Sequence, residues 1–148
     1  ALHQQLAQCR CGRSGNKMMR VASCRCGSLR ANCAGQPIRL SVCHCRACQQ
    51  RTGSAFSAQV RFPVDAVTVQ GSWLEFVRIA DSGREVTYRF CPGCGSTVSY
   101  VIDGWPDLVA VPVGLFDEAS FPDPAYSIYE RNRRSWVSIT GAETEHHP

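Results

Sequence analysis

Hydrophobic and polar side chains alternate in short runs along most of this chain, which is the period expected of β-strands. Only residues 46–52 are predicted to form one or two helical turns, ending at Gly53. Many short strands with so little helix predict a mainly β, single-domain fold of short antiparallel strands. The predicted strand runs cover residues 29–33, 38–42, 56–61, 67–70, 73–79, 84–90, 97–102, 108–113 and 126–129, and residues 136–139 close the fold.

Two local signals place particular strands. Asp81, Ser82 and Gly83 separate two of the runs, so residues 73–79 and 84–90 are predicted to form a hairpin. Pro112 lacks the backbone N–H that a central strand needs, so the strand that contains it is predicted to lie at a sheet edge.

The 148 residues are enough for one domain with one hydrophobic core. Residues 1–17 are polar and show no periodicity, so we expect a disordered leader that is not native, with Met18 or Met19 as the natural start. The folded domain is predicted over residues 18–140, and residues 141–148 are predicted to form a polar tail.

The composition narrows the classes of function. No apolar run approaches the ~18 residues of a membrane helix, and the first residues lack the apolar core of a signal peptide, so we predict a cytoplasmic protein with no membrane partner. The net charge is +4, but residues 1–17 hold three bases and no acid. Residues 18–148 therefore carry 13 bases and 12 acids, which argues against binding to nucleic acid.

Ten cysteines are the most specific chemical feature of the chain. An oxidised, disulfide-linked secreted domain is one interpretation of so many thiols. Disulfide frameworks usually spread their cysteines along the chain, whereas seven of these are grouped at the spacings of metal sites. The groups are C-x-C at Cys24 and Cys26, C-x-C-x-x-C at Cys43, Cys45 and Cys48, and C-x-x-C at Cys91 and Cys94.

The triplet of Cys43, Cys45 and Cys48 directly follows a predicted strand. Three thiolates can hold one zinc ion and leave its fourth position open for water or substrate, whereas four protein ligands close a site. We therefore predict a reactive zinc site at the triplet. The alternative is that three reduced cysteines simply occupy a turn.

The pair of Cys91 and Cys94 has the zinc-knuckle form C-P-G-C-G and supplies two ligands. Cys24 and Cys26 can supply two more, which would complete a closed, structural site. A thioredoxin-like redox pair is the competing interpretation, but that motif needs a following helix, and residues 97–102 have strand character. Spacing alone does not prove the division into four and three ligands. Seven thiolates and two zinc ions would carry a net charge of −3, which we expect nearby arginines to offset.

Residues around the triplet each have two interpretations. His44 lies between two predicted ligands and is either a catalytic base or an exposed or hydrogen-bonded side chain. Gly53, Ser54 and Phe56 follow the metal loop and are predicted to line a substrate pocket; the alternative is a turn followed by a core aromatic. Cys33 alternates with polar neighbours and is predicted to be a buried small hydrophobic residue.

Several segments together resemble the glutathione-dependent formaldehyde-activating enzyme (GFA) family. The resemblance runs from about residue 20 to residue 140 and leaves the leader outside. The segments that carry it are S-C-R-C-G at 23–27, C-H-C-R-A-C at 43–48, T-G-S-A-F at 52–56, F-C-P-G-C-G-S at 90–96, and Trp136.

The resemblance implies a β-tent fold with two zinc ions per chain. The activity it implies is the condensation of formaldehyde with glutathione to S-hydroxymethylglutathione, formally a carbon–sulfur lyase reaction in reverse. Carried over position by position, it implies a catalytic zinc at the triplet and a structural zinc bound by Cys24, Cys26, Cys91 and Cys94.

We therefore expect a zinc-dependent enzyme that acts on a glutathione–aldehyde adduct or a related small thiol compound. A thiol bound to zinc ionises readily, and a thiolate attacks an aldehyde far better than a thiol does. Two other classes of protein carry similar cysteines. One is a zinc-stabilised binding module without turnover, and the other is a thiol or metal sensor that releases zinc on oxidation.

Overall fold

The computed structural model describes residues 18–117 and 120–148, so the predicted leader lies outside the described residues. One α-helix, α1, spans Arg46–Thr52. Three short 3-10 helices span Val64–Ala66, Val113–Leu115 and Glu130–Asn132. The strands are β1 (Met19–Ser23), β2 (Arg30–Ala34), β3 (Arg39–Cys43), β4 (Ser57–Pro63), β5 (Val67–Gln70), β6 (Leu74–Ile79), β7 (Glu85–Phe90), β8 (Thr97–Ile102), β9 (Leu108–Pro112), β10 (Tyr126–Ile128) and β11 (Glu145–His146).

The strands form two sheets. A three-stranded sheet has the order β1-β2-β5, and an eight-stranded sheet has the order β11-β10-β3-β4-β9-β8-β7-β6. Neighbouring strands are antiparallel except for β10, which pairs in parallel with β3 and with β11. The predicted mainly β, single-domain fold of short strands is confirmed, with these parallel pairs as the exception. No helix within the described ranges is long and apolar enough to cross a membrane.

The main hydrophobic core lies between the two sheets. Val60 and Phe62 of the large sheet and Ala31 of the small sheet are fully buried there. Cys33 belongs to the same core, and its burial raises the pKa of its thiol to about 12. The prediction that Cys33 is a buried small residue is therefore confirmed.

The other face of the large sheet carries the polar residues that matter for the site. Side chains directly opposite each other on paired strands share a face. One row of such partners crosses five strand pairs, and it runs through Arg39, Arg61, Ala110, Tyr100, Tyr88 and Phe76. Ala110 is small and fully buried, so it leaves a hollow between the longer side chains of Arg61 and Tyr100.

The triplet is placed by β3, β4 and α1. Cys43 ends β3 and pairs with Ser57 at the start of β4. Cys45 is the N-cap of α1, as its sulfur accepts a hydrogen bond from the backbone N–H of Cys48. The helix ends at Gly53, which has the left-handed φ of 67° that favours glycine at this position. The short helix predicted over residues 46–52 is confirmed.

One strand prediction was wrong. Pro112 does not mark a sheet edge, because β9 lies between β4 and β8. Pro112 is the last residue of β9, so its missing N–H falls where the strand ends. Residues 136–139 form no strand; Trp136 is 76% exposed, and Ile139 packs against the core. The two-residue strand β11, inside the predicted polar tail, was too short to produce a pattern.

The turn after β5 supplies a test of the fold. Gly71 has a φ of +106°, and a Cβ at this position would overlap the backbone carbonyl oxygen of Ser28. Replacing Gly71 with Ala should therefore combine an unfavourable φ with a steric overlap. We predict that Gly71→Ala lowers the free energy of unfolding by about 2–5 kcal/mol in urea denaturation of the zinc-loaded protein.

Gly114→Ala is the matched control. An added Cβ at Gly114 meets no atom within 4 Å, and its φ is not in the positive region. The expected change is less than about 1 kcal/mol in either direction. Equal losses of stability in the two variants would contradict the steric explanation.

Candidate functional site

Four cysteine sulfurs converge where the loop after β1 meets the turn between β7 and β8. Cys24 Sγ lies 3.5 Å from Cys26 Sγ, which lies 3.6 Å from Cys91 Sγ. Sulfurs at the corners of a zinc tetrahedron stand about 3.8 Å apart, since Zn–S bonds are ~2.3 Å. Disulfide sulfurs are only ~2.05 Å apart. With Cys94, these sulfurs lie within 4.8 Å of one another, so the cluster fits zinc and not a disulfide.

Two serine hydroxyls lie within hydrogen-bonding range of these sulfurs. Ser28 Oγ lies 3.0 Å from Cys26 Sγ and 3.3 Å from Cys91 Sγ. Ser96 Oγ lies 3.3 Å from Cys94 Sγ, and its hydrogen bonding lowers the pKa of Cys94 to about 5. A thiolate is the form that binds metal, so these hydrogen bonds favour ligation.

Sequence reasoning missed both serines, although the chain contains a signal for them. The tripeptide Cys-Gly-Ser occurs at residues 26–28 and again at 94–96. In both copies the glycine has a positive φ, 77° and 75°, and the serine hydroxyl lies within hydrogen-bonding range of a cysteine sulfur in the cluster.

The remaining three cysteines form the triplet at the end of β3. The sulfurs of Cys43, Cys45 and Cys48 lie within 4.8 Å of one another. Cys43 and Cys45 are buried and Cys48 is half-buried. The structure thus groups the seven cysteines as four and three, the division that spacing had left open.

The three thiols of the triplet change one another's pKa values. Hydrogen bonds from the thiols of Cys43 and Cys48 lower the pKa of Cys45, while the contact with Cys45 raises the pKa of Cys43. Without a cation, therefore, only one of the sulfurs ionises readily. A divalent cation that prefers sulfur would stabilise three thiolates together, so this donor set fits zinc.

A cavity of about 160 Å³ opens onto the triplet. Its far side is the hairpin of β6 and β7, and its floor is the polar face of the large sheet. Three arginines and a single carboxylate, Asp81, contribute the charged lining. The side chains that matter below are Arg61, Arg78, Arg84, Tyr88, Tyr100 and Trp105.

Arginine side chains lie close to the thiols and to two buried tyrosines. The guanidinium carbon of Arg51 lies 5.4 Å from the ring centre of Tyr88 and 5.3 Å from that of Tyr100. Arg51 also donates a hydrogen bond of 2.6 Å to Ser57 Oγ. Burial raises the pKa of both tyrosines, so their phenols keep their protons at neutral pH.

The positive charges expected near the cysteines are located by the structure. Arg78 acts electrostatically on Cys45, and Arg51 acts on Cys48; each favours the thiolate form. The negative charge of a metal–thiolate site is thus offset by side chains that come from β6 and from α1.

His44 is buried and hydrogen-bonded. Its Nε2 lies 3.2 Å from Ser127 Oγ, and the Ser127 hydroxyl donates to Glu130 at 2.6 Å. Burial lowers the pKa of His44, so the ring is neutral at pH 7. His44 does not line the cavity, and of its two interpretations the hydrogen-bonded side chain matches the structure.

Gly53, Ser54 and Phe56 do not reach the cavity at the triplet. Gly53 and Ser54 are exposed where the helix ends, and Phe56 packs against the main core and lies 5.9 Å from the His44 ring. The structure places these three residues in a turn and a core contact before β4 begins at Ser57. Arg61, Tyr88 and Tyr100 take their place in the cavity wall.

Comparisons with known proteins agree with this arrangement. The family model described as glutathione-dependent formaldehyde-activating enzyme matches residues 19–132. The fold is similar to the crystal structure of a Rhodobacter sphaeroides protein, with a TM-score of 0.54 and 15% identity. That alignment covers 68% of this chain and 90% of the other, and at this identity it shows the fold alone. No curated protein matches the chain.

The two clusters lead to a stoichiometric prediction. Protein purified under reducing conditions and without chelator should contain about two zinc ions per chain, because four and three thiols converge at separate places. Elemental analysis provides the measurement. One ion or none would contradict the assignment of one zinc to each cluster.

Replacing single ligands should separate the roles of the clusters. Structural zinc contributes roughly 10–16 kcal/mol of apparent binding free energy in small zinc domains, as much as the ~5–15 kcal/mol stability of a typical domain. We therefore predict that Cys91→Ser gives unfolded or insoluble protein, whereas Cys45→Ser folds and retains about one zinc ion.

The two variants control for each other, since both replace one cysteine sulfur with oxygen. Circular dichroism melts and zinc counts decide the outcome. A folded Cys91→Ser protein together with an unfolded Cys45→Ser protein would reverse the structural and reactive assignments.

Proposed function

Because the chain belongs to the glutathione-dependent formaldehyde-activating enzyme family, we propose that it is a zinc-dependent enzyme joining formaldehyde to the thiol of glutathione or of a related small thiol compound. The reaction is formally that of a carbon–sulfur lyase in reverse. The observation that carries the proposal is the cavity that opens onto the three-cysteine cluster. Only a site with three protein ligands keeps a position for substrate.

The roles of the cysteines follow from their number and position. Cys43, Cys45 and Cys48 would hold the reactive zinc, and the four-cysteine cluster would hold a structural one. The reactive zinc supplies a cation beside which a substrate thiol ionises readily. Arg51 and Arg78 add positive charge next to the sulfurs, which limits the electrostatic cost of collecting several thiolates.

Formation of the product moves two electron pairs, and the proton that the thiol loses to water is matched by one taken up at oxygen. The substrate sulfur attacks the carbonyl carbon, a carbon–sulfur bond forms, and the π electrons of the C=O bond move to oxygen. That oxygen then takes a proton and becomes the hydroxyl of the S-hydroxymethyl product. Tyr100 lies in the cavity wall as a neutral phenol, so it can donate this proton and regain one from water.

The positions of Arg51 and Arg61 are consistent with proton donation by Tyr100. Arg51 lies over the Tyr100 ring, and the charge of Arg61 also acts on the Tyr100 hydroxyl. Both guanidinium groups would stabilise the phenolate that exists between proton donation and reprotonation. We therefore assign Tyr100 as the proton donor and the two arginines as its electrostatic support.

The two other classes of function, a zinc-stabilised binding module and an oxidation sensor, explain fewer features of the structure. A binding module held together by zinc needs no cavity beside an incomplete ligand set. An oxidation sensor needs accessible sulfur, whereas Cys43 is 6% exposed, Cys45 is 8% exposed and only Cys48 of the triplet is half-buried. A reducing compartment such as the cytoplasm suits eight described cysteines that form no disulfide, and it stays a prediction.

The test of the proposal is exchange of ¹³C-formaldehyde with glutathione, followed by NMR on the zinc-loaded protein. We expect exchange above the uncatalysed rate in the wild-type protein and background exchange in Cys45→Ser. Tyr100→Phe should lower the catalysed rate by about 100-fold with unchanged zinc content, since general acids contribute ~10²–10⁴-fold.

Tyr126→Phe is the matched control, because Tyr126 does not line the cavity, and it should retain the wild-type rate. Background exchange in the wild-type protein would overturn the proposed activity. A full rate in Tyr100→Phe would leave the activity in place and remove the role of Tyr100.

A further inference from the structure

Three arginine side chains surround Trp105 at the side of the cavity. Their guanidinium carbons lie 4.8 Å (Arg84), 5.3 Å (Arg61) and 5.9 Å (Arg39) from the indole ring centre. Arg61, Arg84 and Trp105 all line the cavity. We call Arg39, Arg61, Arg84 and Trp105 the arginine cluster.

The cluster concentrates like charge. Arg39 and Arg61 are directly opposite each other in the register of β3 and β4, an arrangement in which like charges repel. Among the described residues, none of the three arginines forms a salt bridge with a carboxylate. The face of Trp105 attracts the cations, but it supplies no negative charge to balance them.

Arg61 is the most constrained member of the cluster. Its side chain is almost entirely buried, with 6% of the residue exposed. Two of its nitrogens, Nε and Nη1, have no hydrogen-bond partner. A guanidinium stays protonated in a protein, and a buried charge without a partner is costly. Its planar fork matches the two oxygens of a carboxylate.

We propose that Arg61, flanked by Arg39 and Arg84, binds a carboxylate of the thiol substrate and thereby selects carboxylate-bearing thiols over neutral ones. Trp105 is a positioning residue that holds the three guanidinium groups together. The inference rests on the proposed function, because it places the sulfur of the same substrate at the triplet.

The sheet sets the distance between the two ends of this substrate. Ser57 lies opposite Cys43, and Arg61 follows four residues later on the same face of β4. Four residues of strand span about 13 Å between Cα atoms, part of which the side chains cover from each end. The substrate therefore carries its carboxylate several bonds from its sulfur, as a small peptide thiol does.

The size of the cavity agrees with this assignment. A volume of about 160 Å³ is below the ~300–1,000 Å³ of sites that enclose drug-sized ligands. The cavity thus holds the part of a substrate between sulfur and carboxylate and leaves the rest outside its mouth.

The test compares two thiol ligands, one with free carboxylates and one with both carboxylates esterified. Glutathione and glutathione diethyl ester, in which both carboxylates are blocked, are titrated by calorimetry into zinc-loaded protein. S-methylglutathione, which keeps the carboxylates and lacks a free thiol, is added to protein with ¹⁵N-labelled arginine. We expect glutathione to bind about tenfold or more tightly than its diester, and S-methylglutathione to shift the Arg61 Nε–H resonance.

Substitutions then locate the preference. Arg61→Gln should lose about tenfold or more in affinity for glutathione while its affinity for the diester stays within about threefold of wild type. Arg84 is exposed, so Arg84→Gln should fold and show a smaller loss in the same direction even if the buried substitution impairs folding. Arg134→Gln removes an exposed charge away from the cavity and should leave both affinities unchanged.

The possible outcomes separate the two proposals. Equal affinity for both ligands, or no response of Arg61, would overturn the carboxylate site even if formaldehyde exchange is catalysed. A response of Arg61 to S-methylglutathione in a protein without catalysed exchange would support the carboxylate site and overturn the proposed function. A loss of preference in Arg134→Gln equal to that in Arg61→Gln would show a general charge effect and also overturn the site.

Discussion

The close approach of cysteine sulfurs from distant parts of the chain is the constraint around which this fold is organised. Cys24 and Cys26 follow the first strand, and Cys91 and Cys94 lie some 65 residues later, yet the Sγ atoms of Cys26 and Cys91 are 3.6 Å apart. A cation would let sulfurs held this close ionise together, and it would then tie distant parts of the chain to each other. The small sheet has only three strands, and the loop after its first strand contacts the β7–β8 turn of the large sheet here. A metal bound there would add stability of the kind that larger proteins obtain from a larger hydrophobic core.

One face of the eight-stranded sheet packs in the hydrophobic core, and the other face lines the cavity. Val60 and Phe62 face the small sheet and complete the core, whereas Gln59 and Arg61, their neighbours in β4, face the cavity. Because side chains alternate along a strand, the same strand can contribute residues to the core and to the cavity. Residues of the β6–β7 hairpin line the cavity beside this row of aligned side chains.

Much of this arrangement could be predicted from sequence, because strand alternation and cysteine spacing are local. The hairpin around Asp81, the helix that ends at Gly53 and the burial of Cys33 all follow from patterns a few residues long. The position of Pro112 could not be predicted, since strand order depends on pairings distant in sequence. The residues that line the cavity could not be predicted for the same reason. Phe56 follows the triplet directly but packs in the core, while Arg61, Tyr88 and Tyr100 come from three strands and meet only through register.

The two cysteine clusters differ in what surrounds them as much as in their number of sulfurs. Serine hydroxyls lie within hydrogen-bonding range of sulfurs in the four-cysteine cluster, and the arginines beside it, Arg25 and Arg30, are exposed. The triplet instead lies beside buried guanidinium groups that have no carboxylate partners. Unpaired buried charge lowers stability, and neither packing nor hydrogen bonding in the fold accounts for the charge of Arg61. This unpartnered charge beside the three cysteines is the reason for our proposal that a negatively charged molecule binds there.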